Sequence, residues 1–539
     1  MTNFDLLGKA DAGRPHFRLE EWIATQRHRS LHCKSIVAKS AVATLSVIMA
    51  AMAVGATLYP DRNEQFMPKP RSLAVDYSRM FPLTDGTRFA VACPKPKETA
   101  VGAKFVRDHA ANWLGCRPKV AEETTKEAFE SPEAYRLKVD ESGVLIAAGG
   151  LAGVRHAIST LRQALDPLPG VETFSGWQSP QLTVEDAPAL SWRGIHICWF
   201  PEYTVQDIER YLRLSAYYKY NYLVLESWGM FVSEKHPGLN WPESPMTKAE
   251  VRRLAGIAKD LGITLIPQYN IFGHASGSRR SGGKHAVIDL DRKYLPLFEP
   301  FGWNWCLSNP ATKRVVTDVV LEMHEAFGSP PYFHLGCDEA IEPTCSLCRA
   351  TDYRVTVSRF IAHVHDALKA RGAQGMVWHA MFFDSGAKQW CPSLIKQGPG
   401  EVDKFLEMQP RDLVMCDYQY GTSVNGEWPS GMILHKKGFP VLMCPFARRE
   451  GVYEQAKYVR EKGMLGLLLT TWHQIPLSAL HYFENGARAS WEMHDGKPLA
   501  LLNPHIAAHH MRVVGWDVPN RGYRDTGWWL RQLPFEVTR

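Results

Sequence analysis

The chain has 539 residues, enough for two or three domains, and its 45% hydrophobic and 22% charged content is an ordinary globular balance. A net charge of +6 over that length, with no basic stripe, excludes nucleic acid as an expected partner. The 17 tryptophans suggest aromatic-lined clefts.

In chain order, residues 41–59 come first as one uncharged, mostly apolar run, preceded by Arg27, His28, Arg29 and Lys34, with Lys39 close in. That pattern fits a signal sequence or membrane anchor with its basic side in the cytoplasm, and its length suits a helix that spans a bilayer. Residues 1–60 are therefore expected to be a basic segment plus signal or anchor helix. The rest of the chain is expected to be exported, either membrane-anchored or periplasmic/extracellular. Residues 60–85, with Pro60, Pro68, Pro70 and Pro82, read as a linker.

Strand and helix signals follow. Residues 88–92 read as a strand, 99–115 as a helix, and 135–139 with 144–148 as a hairpin turning at 141–143. An amphipathic helix over 153–165 puts Val154, Ala157, Leu161 and Leu165 on one face. A small non-catalytic α/β domain is thus predicted over 61–185. Past Asp186-Ala187-Pro188, eight short apolar strands can be placed at 194–199, 221–226, 263–269, 331–336, 375–380, 412–418, 439–444 and 464–471. Helical patterns lie between most of them, as at 204–217, 247–261, 311–326, 353–371 and 450–462. The expected fold class is α/β, a (β/α)8 TIM barrel over 186–510 behind the small domain and the N-terminal hydrophobic segment. Residues 511–539 form a C-terminal extension.

Barrel enzymes place their chemistry at the C-terminal ends of the strands. The fourth strand ends in His334-Leu335-Gly336-Cys337-Asp338-Glu339. Two adjacent carboxylates disfavour each other's ionisation, which is costly for a fold and useful for acid chemistry. A helix N-terminus also welcomes Asp and Glu. Polar or aromatic residues close most other strands: Glu226 and Trp228, His274, Trp378 and His379, Asp417 and Tyr418, Trp472 and His473. Carboxylates and indole faces at one rim suit sugar binding. Ordinary glycosidases separate their two carboxyl groups by about 5 Å or more, so consecutive acids fit better the exception in which the substrate's own 2-acetamido oxygen is the nucleophile. No Gly-rich phosphate loop opens a helix, so a nucleotide enzyme is disfavoured.

Of the eleven cysteines, Cys345 and Cys348 form the one close pair. They could be a disulfide or half of a metal site, but no second CxxC or nearby His pair completes a zinc set. A local structural role is expected, with no metal and no cofactor.

The chain resembles glycoside hydrolase family 20, the β-N-acetylhexosaminidases. His334 to Glu339 is similar to that family's His-x-Gly-Gly-Asp-Glu signature, with Cys337 in place of the second Gly. Ile266-Pro267 followed by Gly273-His274 resembles its third-strand motif, with Gln268 in the Glu position, and Trp192-Arg193-Gly194 its first-strand start. Residues 147–157 resemble part of its small domain. The pattern Leu225 to Phe231, the Phe272-Gly273-His274 turn and Asp417-Tyr418 look closer to the hexosaminidase D branch, and a Tyr-x-Asp pair usual after the seventh strand is missing.

The resemblance implies an exo-acting enzyme that releases terminal N-acetylhexosamine from glycans. Glu339 is then the expected general acid and Asp338 the group that orients the acetamido N–H. Arg193 and Glu226 are expected on ring hydroxyls, unless Arg193 is a structural salt bridge and Glu226 a solvated strand end. Trp378 and Trp472 are expected as pocket walls, with Tyr418 on the acetamido oxygen and Asp417 beside it. His274 and His334 are placed at the pocket, as ligands or as structural histidines. The competing readings are a glycosidase of other sugar specificity and a non-catalytic surface glycan-binding protein.

Overall fold

The computed structural model describes residues 62–168, 176–199, 203–227, 229–240, 246–275, 291–300, 302–472 and 480–500, with isolated positions 506, 510 and 514 beyond. The apolar run 41–59, Trp228, His473 and most of 511–539 lie outside the described residues. Among the described residues no helix is long and apolar enough to cross a membrane.

The first half is a mixed sheet: β1 (Ser72–Pro82), β2 (Arg88–Cys93), β3 (Lys119–Thr124), β4 (Tyr135–Asp140), β5 (Gly143–Ala148), β6 (Asp166–Pro167) and β7 (Trp177–Asp186). Their order is β1-β7-β4-β5-β2-β3, with β6 added to β7. β2 runs parallel to β3 and β5, and β4 pairs antiparallel with β5 and β7. The predicted hairpin is β4–β5, and the two predicted helices are Pro96–Leu114 and Leu151–Ala164. The stretch read as a linker is instead largely β1, an edge strand paired only with β7 through a register shift between Asp76 and Met80. No residue of β1 is fully buried, so the apolar pattern that marks a core strand is missing there.

The second half is a closed parallel barrel of β8 (Arg193–Trp199), β9 (Tyr222–Ser227), β10 (Thr264–Gln268), β11 (Tyr332–His334), β12 (Gln374–Trp378), β13 (Val414–Asp417), β14 (Val441–Met443) and β15 (Gly466–Thr470), with β15 closing on β8. All eight strands fall where the apolar runs put them. β11 stops early because Gly336 and Cys337 turn to positive φ (69° and 74°).

Side chains alternate along a strand, and here even-numbered positions face the barrel interior. Trp192, Val224, Ile266, Met376, Trp378, Val414, Cys416, Leu442 and Leu468 form one internal cluster. Their odd-numbered neighbours Ile195, Ile197, Leu223, Leu225, Leu265, Phe333, Val377, Met415, Leu467 and Leu469 belong to the core between barrel and helices. This parity decides which strand-end residues reach the site.

The two halves join beneath the barrel, at the N-terminal ends of its strands. Arg193 is odd-numbered and opens β8, so its side chain leaves the interior. It is 1% exposed and forks onto Glu133 of the small domain, with Nη1 3.0 Å from Oε2 and Nη2 2.5 Å from Oε1. It also donates to the carbonyls of Lys219 (3.0 Å) and Leu190 (2.8 Å). Beside it, Lys219 Nζ donates to Asp186 Oδ2 and to the Tyr135 hydroxyl, both at 2.9 Å. Trp491, which ends the helix Leu480–Trp491, lies against both cations and donates to Asp186 at 3.1 Å. The expectation that Arg193 binds sugar is thereby corrected. It is a structural ion pair at the far end of the barrel, and strand parity is the physical reason.

Candidate active site

At the opposite rim the interior parity gathers His196 and Cys198 from β8, Glu226 from β9, Gln268 from β10, His334 from β11 and Trp378 from β12. Tyr418 and Trp472 follow just past β13 and β15. Register sets Gln268 beside both Glu226 and His334. Trp378 is the centre of the floor. It is fully buried, with ring centroids 4.3 Å from His334, 5.3 Å from Trp472, 5.4 Å from His196 and 5.7 Å from Tyr418. Trp472 extends this aromatic wall and donates from Nε1 to the Tyr420 hydroxyl at 2.5 Å. Two polar atoms in the wall, Trp378 Nε1 and the Tyr418 hydroxyl, are buried and have no hydrogen-bond partner among the described residues. Polar groups buried without partners cost stability, so two unmet polar atoms in one wall point to a ligand that meets them.

Asp338 and Glu339 stand on the turn after β11. The Asp338 side chain is 4% exposed and that of Glu339 is 53% exposed, so one carboxylate is sunk and its neighbour opens to solvent. His274 bridges them: Nε2 lies 3.1 Å from Glu339 Oε2 and 3.7 Å from Asp338 Oδ2. Trp303 packs against His274 with ring centroids 4.3 Å apart at a 47° tilt, and donates from Nε1 to the Glu339 carbonyl at 2.8 Å.

The backbone of this turn is unusual. His274, Cys337, Glu339 and Trp472 all have φ between 46° and 74°. Non-glycine residues adopt that region at a cost, and they cluster where a site demands it. Cys337, in the position where the resembled signature has glycine, is one of them. Gly273 has no such freedom to lose, because a Cβ there would stand 2.2 Å from the Asp338 carbonyl oxygen. Only glycine lets the two loops touch.

Glu226 is buried at the base of the rim. Its Oε1 accepts from Gln268 (2.8 Å) and Asn270 (3.3 Å), while Oε2 accepts from Cys198 (3.1 Å) and lies 3.2 Å from His196 Nε2. It is not a solvated strand end. His196, Cys198 and Glu226 each offer a ligand atom within 4.8 Å of the others. His334 is fully buried, and its Nδ1 accepts from the Gly336 amide at 3.0 Å, which fixes its ring against Trp378.

Asp417 does not face the pocket with Tyr418. Being odd-numbered, it turns into the loop layer, where its carboxylate lies 3.0 Å from His379 Nε2 and accepts from Ser430 (2.8 Å) and Gln419 (3.1 Å). Burial alone would push the His379 pKa down, but the neighbouring Asp417 carboxylate and Cys391 outweigh it and raise it. The expectation that Asp417 binds sugar is corrected to a role behind the wall that carries Tyr418.

The structure thus brings together Asp338, Glu339, Glu226, His274, His334, Trp378, Tyr418 and Trp472, and leaves out Arg193 and Asp417. His196, Cys198 and Asn270 were missed. The signal was available for the first two, because they share the interior parity of β8 with Gly194.

The sequence matches the model of the glycosyl hydrolase family 20 catalytic domain over residues 190–420 and that of the family's domain 2 over residues 64–187. A Porphyromonas gingivalis β-hexosaminidase is 24% identical over 59% of this chain and 45% of its own length. A Cellulomonas fimi β-N-acetylhexosaminidase is 30% identical over 39% of this chain and 44% of its own. The chain spans about half the length of the curated relatives it matches. Among solved structures, a Vibrio harveyi exo β-N-acetylglucosaminidase in complex with N-acetylglucosamine superposes with a TM-score of 0.61 at 16% identity, covering 84% of this chain and 77% of that one. A Streptomyces plicatus N-acetyl-β-hexosaminidase gives 0.60 at 19% identity, covering 86% and 97%. These likenesses speak to the fold, while the two family models together cover well over half of the sequence: the chain belongs to glycosyl hydrolase family 20.

Proposed function

We propose that this protein is an exo-acting β-N-acetylhexosaminidase that removes terminal N-acetylhexosamine from glycans with the substrate's 2-acetamido group as nucleophile. The observation that carries the reading is the pairing of a sunken Asp338 with a half-exposed Glu339 on one strained turn, next to the open Tyr418 hydroxyl. Glu226 and Asp417, the other rim carboxylates, are consumed by internal hydrogen bonds, so neither supplies a separate nucleophile. The names borne by the Porphyromonas, Cellulomonas and Vibrio proteins support the same reading.

The steps follow from position. The sugar stacks on Trp472, the half-buried edge of the aromatic wall that the buried Trp378 backs. Glu339, open to solvent and held by His274, protonates the glycosidic oxygen as the bond to C1 breaks. The acetamido carbonyl oxygen attacks C1 from the opposite face. Asp338 accepts the acetamido N–H and offsets the positive charge that develops on the resulting oxazolinium, while the Tyr418 hydroxyl donates to the acetamido oxygen. Glu339, now a carboxylate, takes a proton from water, which opens the oxazolinium at C1 with net retention.

The features Leu225 to Phe231 and Phe272-Gly273-His274 favour the hexosaminidase D branch within the family. Residues 41–59 favour export with a signal or anchor, and membrane fractionation of tagged full-length chain tests it. The catalytic reading is tested with paired aryl β-glycosides of N-acetylglucosamine and glucose. Release from the acetamido sugar alone is expected. Equal release from both would sink substrate assistance, and binding without release would move the protein to the glycan-binding class.

A further inference from the structure

The CxxC pair that sequence reading left half-finished acquires its missing partners in three dimensions. Cys306, from the loop after β10, comes to Cys345 and Cys348, from the loop after β11, with sulfurs 3.5 and 3.8 Å apart. Glu299 joins them, and one ligand atom from each of the four residues lies within 4.8 Å of all the others. We propose that Cys306, Cys345, Cys348 and Glu299 bind a structural zinc ion that staples these two loops together.

Sulfurs in a disulfide stand about 2.05 Å apart, whereas two thiolates on a tetrahedral zinc with bonds of about 2.3 Å stand roughly 3.8 Å apart. The observed spacings match the second case, and all three thiols are free. An odd number of converging thiols would also leave one over from any disulfide. The Cys348 amide also donates to Cys345 Sγ at 3.3 Å, which holds that sulfur toward the cluster. Glu299 supplies an independent sign. It is only 4% exposed, its Oε2 accepts from the amides of Thr344 (2.8 Å) and Cys345 (2.7 Å), and its Oε1 is buried with no partner among the described residues. A buried carboxylate with one oxygen held by amides and the other facing the thiols is placed to ligate a cation. Three thiolates and one carboxylate close a tetrahedron, so the site is structural rather than catalytic, and soft sulfur selects zinc over calcium or magnesium. Binding involves no redox change: each of the three thiols passes its proton to solvent as its sulfur bonds the metal.

The same two loops carry the catalytic turn. Trp303 holds the Glu339 carbonyl, and Asn304 donates to the Ile341 carbonyl at 2.6 Å. The ion would fix the base of that contact from outside the pocket.

The test is elemental analysis and zinc-edge X-ray absorption on the full-length protein, purified with thiols protected. About one zinc per chain is expected, with roughly three sulfurs near 2.3 Å and one oxygen near 2.0 Å. Cys306→Ser should lose the metal, while Cys116→Ser, which alters a buried thiol of the small domain, should keep it. Protein that stays zinc-free after reconstitution with zinc under reductant would overturn the proposal. So would an absorption spectrum without sulfur ligands, a bound metal other than zinc, or a Cys306 disulfide to Cys345 or Cys348 in the protected sample. Should Cys306→Ser fail to fold, the wild-type spectrum still decides.

Discussion

The two ends of the barrel use the same residue types in opposite ways. At the N-terminal end, Arg193, Lys219, Asp186 and Tyr135 are buried and, with the partly buried Glu133, satisfied one by another, while Trp491 lies over both cations. At the C-terminal rim, Trp378 and Tyr418 keep polar atoms without partners among the described residues, and four non-glycine residues sit at positive φ; the other end has Trp192 Nε1 and Lys219 in those two states. A closed network stabilises a junction; open donors on a strained frame await a ligand. A charged residue on a barrel strand is therefore not informative until its parity and its end of the strand are known.

The sharpest way to break the contrast is to remove the proton donor. Glu339→Gln keeps the shape and the exposed position, so its melting temperature should stay within a degree or two of wild type. Its turnover on the acetamido aryl glycoside should fall about 10²–10⁴-fold, the range for a general acid. A variant with near-normal turnover would reject the assignment.

Arg193→Ala makes the reverse cut. It takes the main partner from Glu133, which stays beside His156 and is partly exposed, so the loss should lie below the roughly 3–5 kcal/mol of a fully buried ion pair. Denaturant unfolding should show that loss, while kcat measured per folded molecule changes little because Arg193 never reaches the pocket. A specific fall in kcat with unchanged stability would place Arg193 back in the site. Gly273→Ala combines both signatures: its Cβ would press the Asp338 carbonyl from 2.2 Å, and a displacement of about 1 Å at a reacting group can cost roughly 10²-fold in rate. Saturation kinetics on this variant should show kcat falling more than KM rises.

How much of this was legible in the sequence also divides by region. The barrel strands were, because each is a short apolar run bounded by turn residues, and so was the Asp338–Glu339 pair after Tyr332-Phe333. The edge strand β1 was not, because an edge exposed along its length carries no core pattern. Arg193 and Asp417 were misplaced although the cue was present, since Trp192 and Tyr418 beside them are the interior-facing partners. The convergence of Glu299, Cys306, Cys345 and Cys348 had no local cue, because Cys306 lies 39 residues from Cys345 and only loop folding brings them together.

Acid should separate the two ends without any mutation. His156, buried against Glu133, has its pKa lowered from 6.5 to about 4, because burial disfavours the imidazolium more than Glu133 favours it. The unfolded chain binds that proton first, so stability falls as pH drops from 6.5 toward 4. Burial would raise the Glu133 pKa, but Arg193 and His156 pull it well below 4.5. Its contribution is present above 4.5 and is lost only as pH falls further, through its folded pKa. Both groups therefore make the junction acid-labile. Melting temperatures between pH 7 and 4.5 should fall more steeply for wild type than for His156→Phe, which carries no titrating group at that position. Parallel curves would show that other groups govern the acid limb.

The smallest expected effect is the most selective. Tyr418→Phe deletes a hydroxyl that has no protein partner among the described residues, so it breaks no internal hydrogen bond and should leave the melting temperature unchanged or slightly raised. If that hydroxyl donates to the acetamido oxygen as it attacks, its loss removes one hydrogen bond made in the transition state. About 1.4 kcal/mol of lost stabilisation is about tenfold in kcat/KM. A bond made equally to bound substrate would raise KM and spare kcat, whereas one that strengthens as charge develops lowers kcat. Equal loss on acetamido and trifluoroacetamido aryl glycosides would argue that Tyr418 only lines the wall. A loss that shrinks as the acetamido oxygen is made less basic would mark the hydroxyl as a donor to the nucleophile itself, in a pocket that left it open for that purpose.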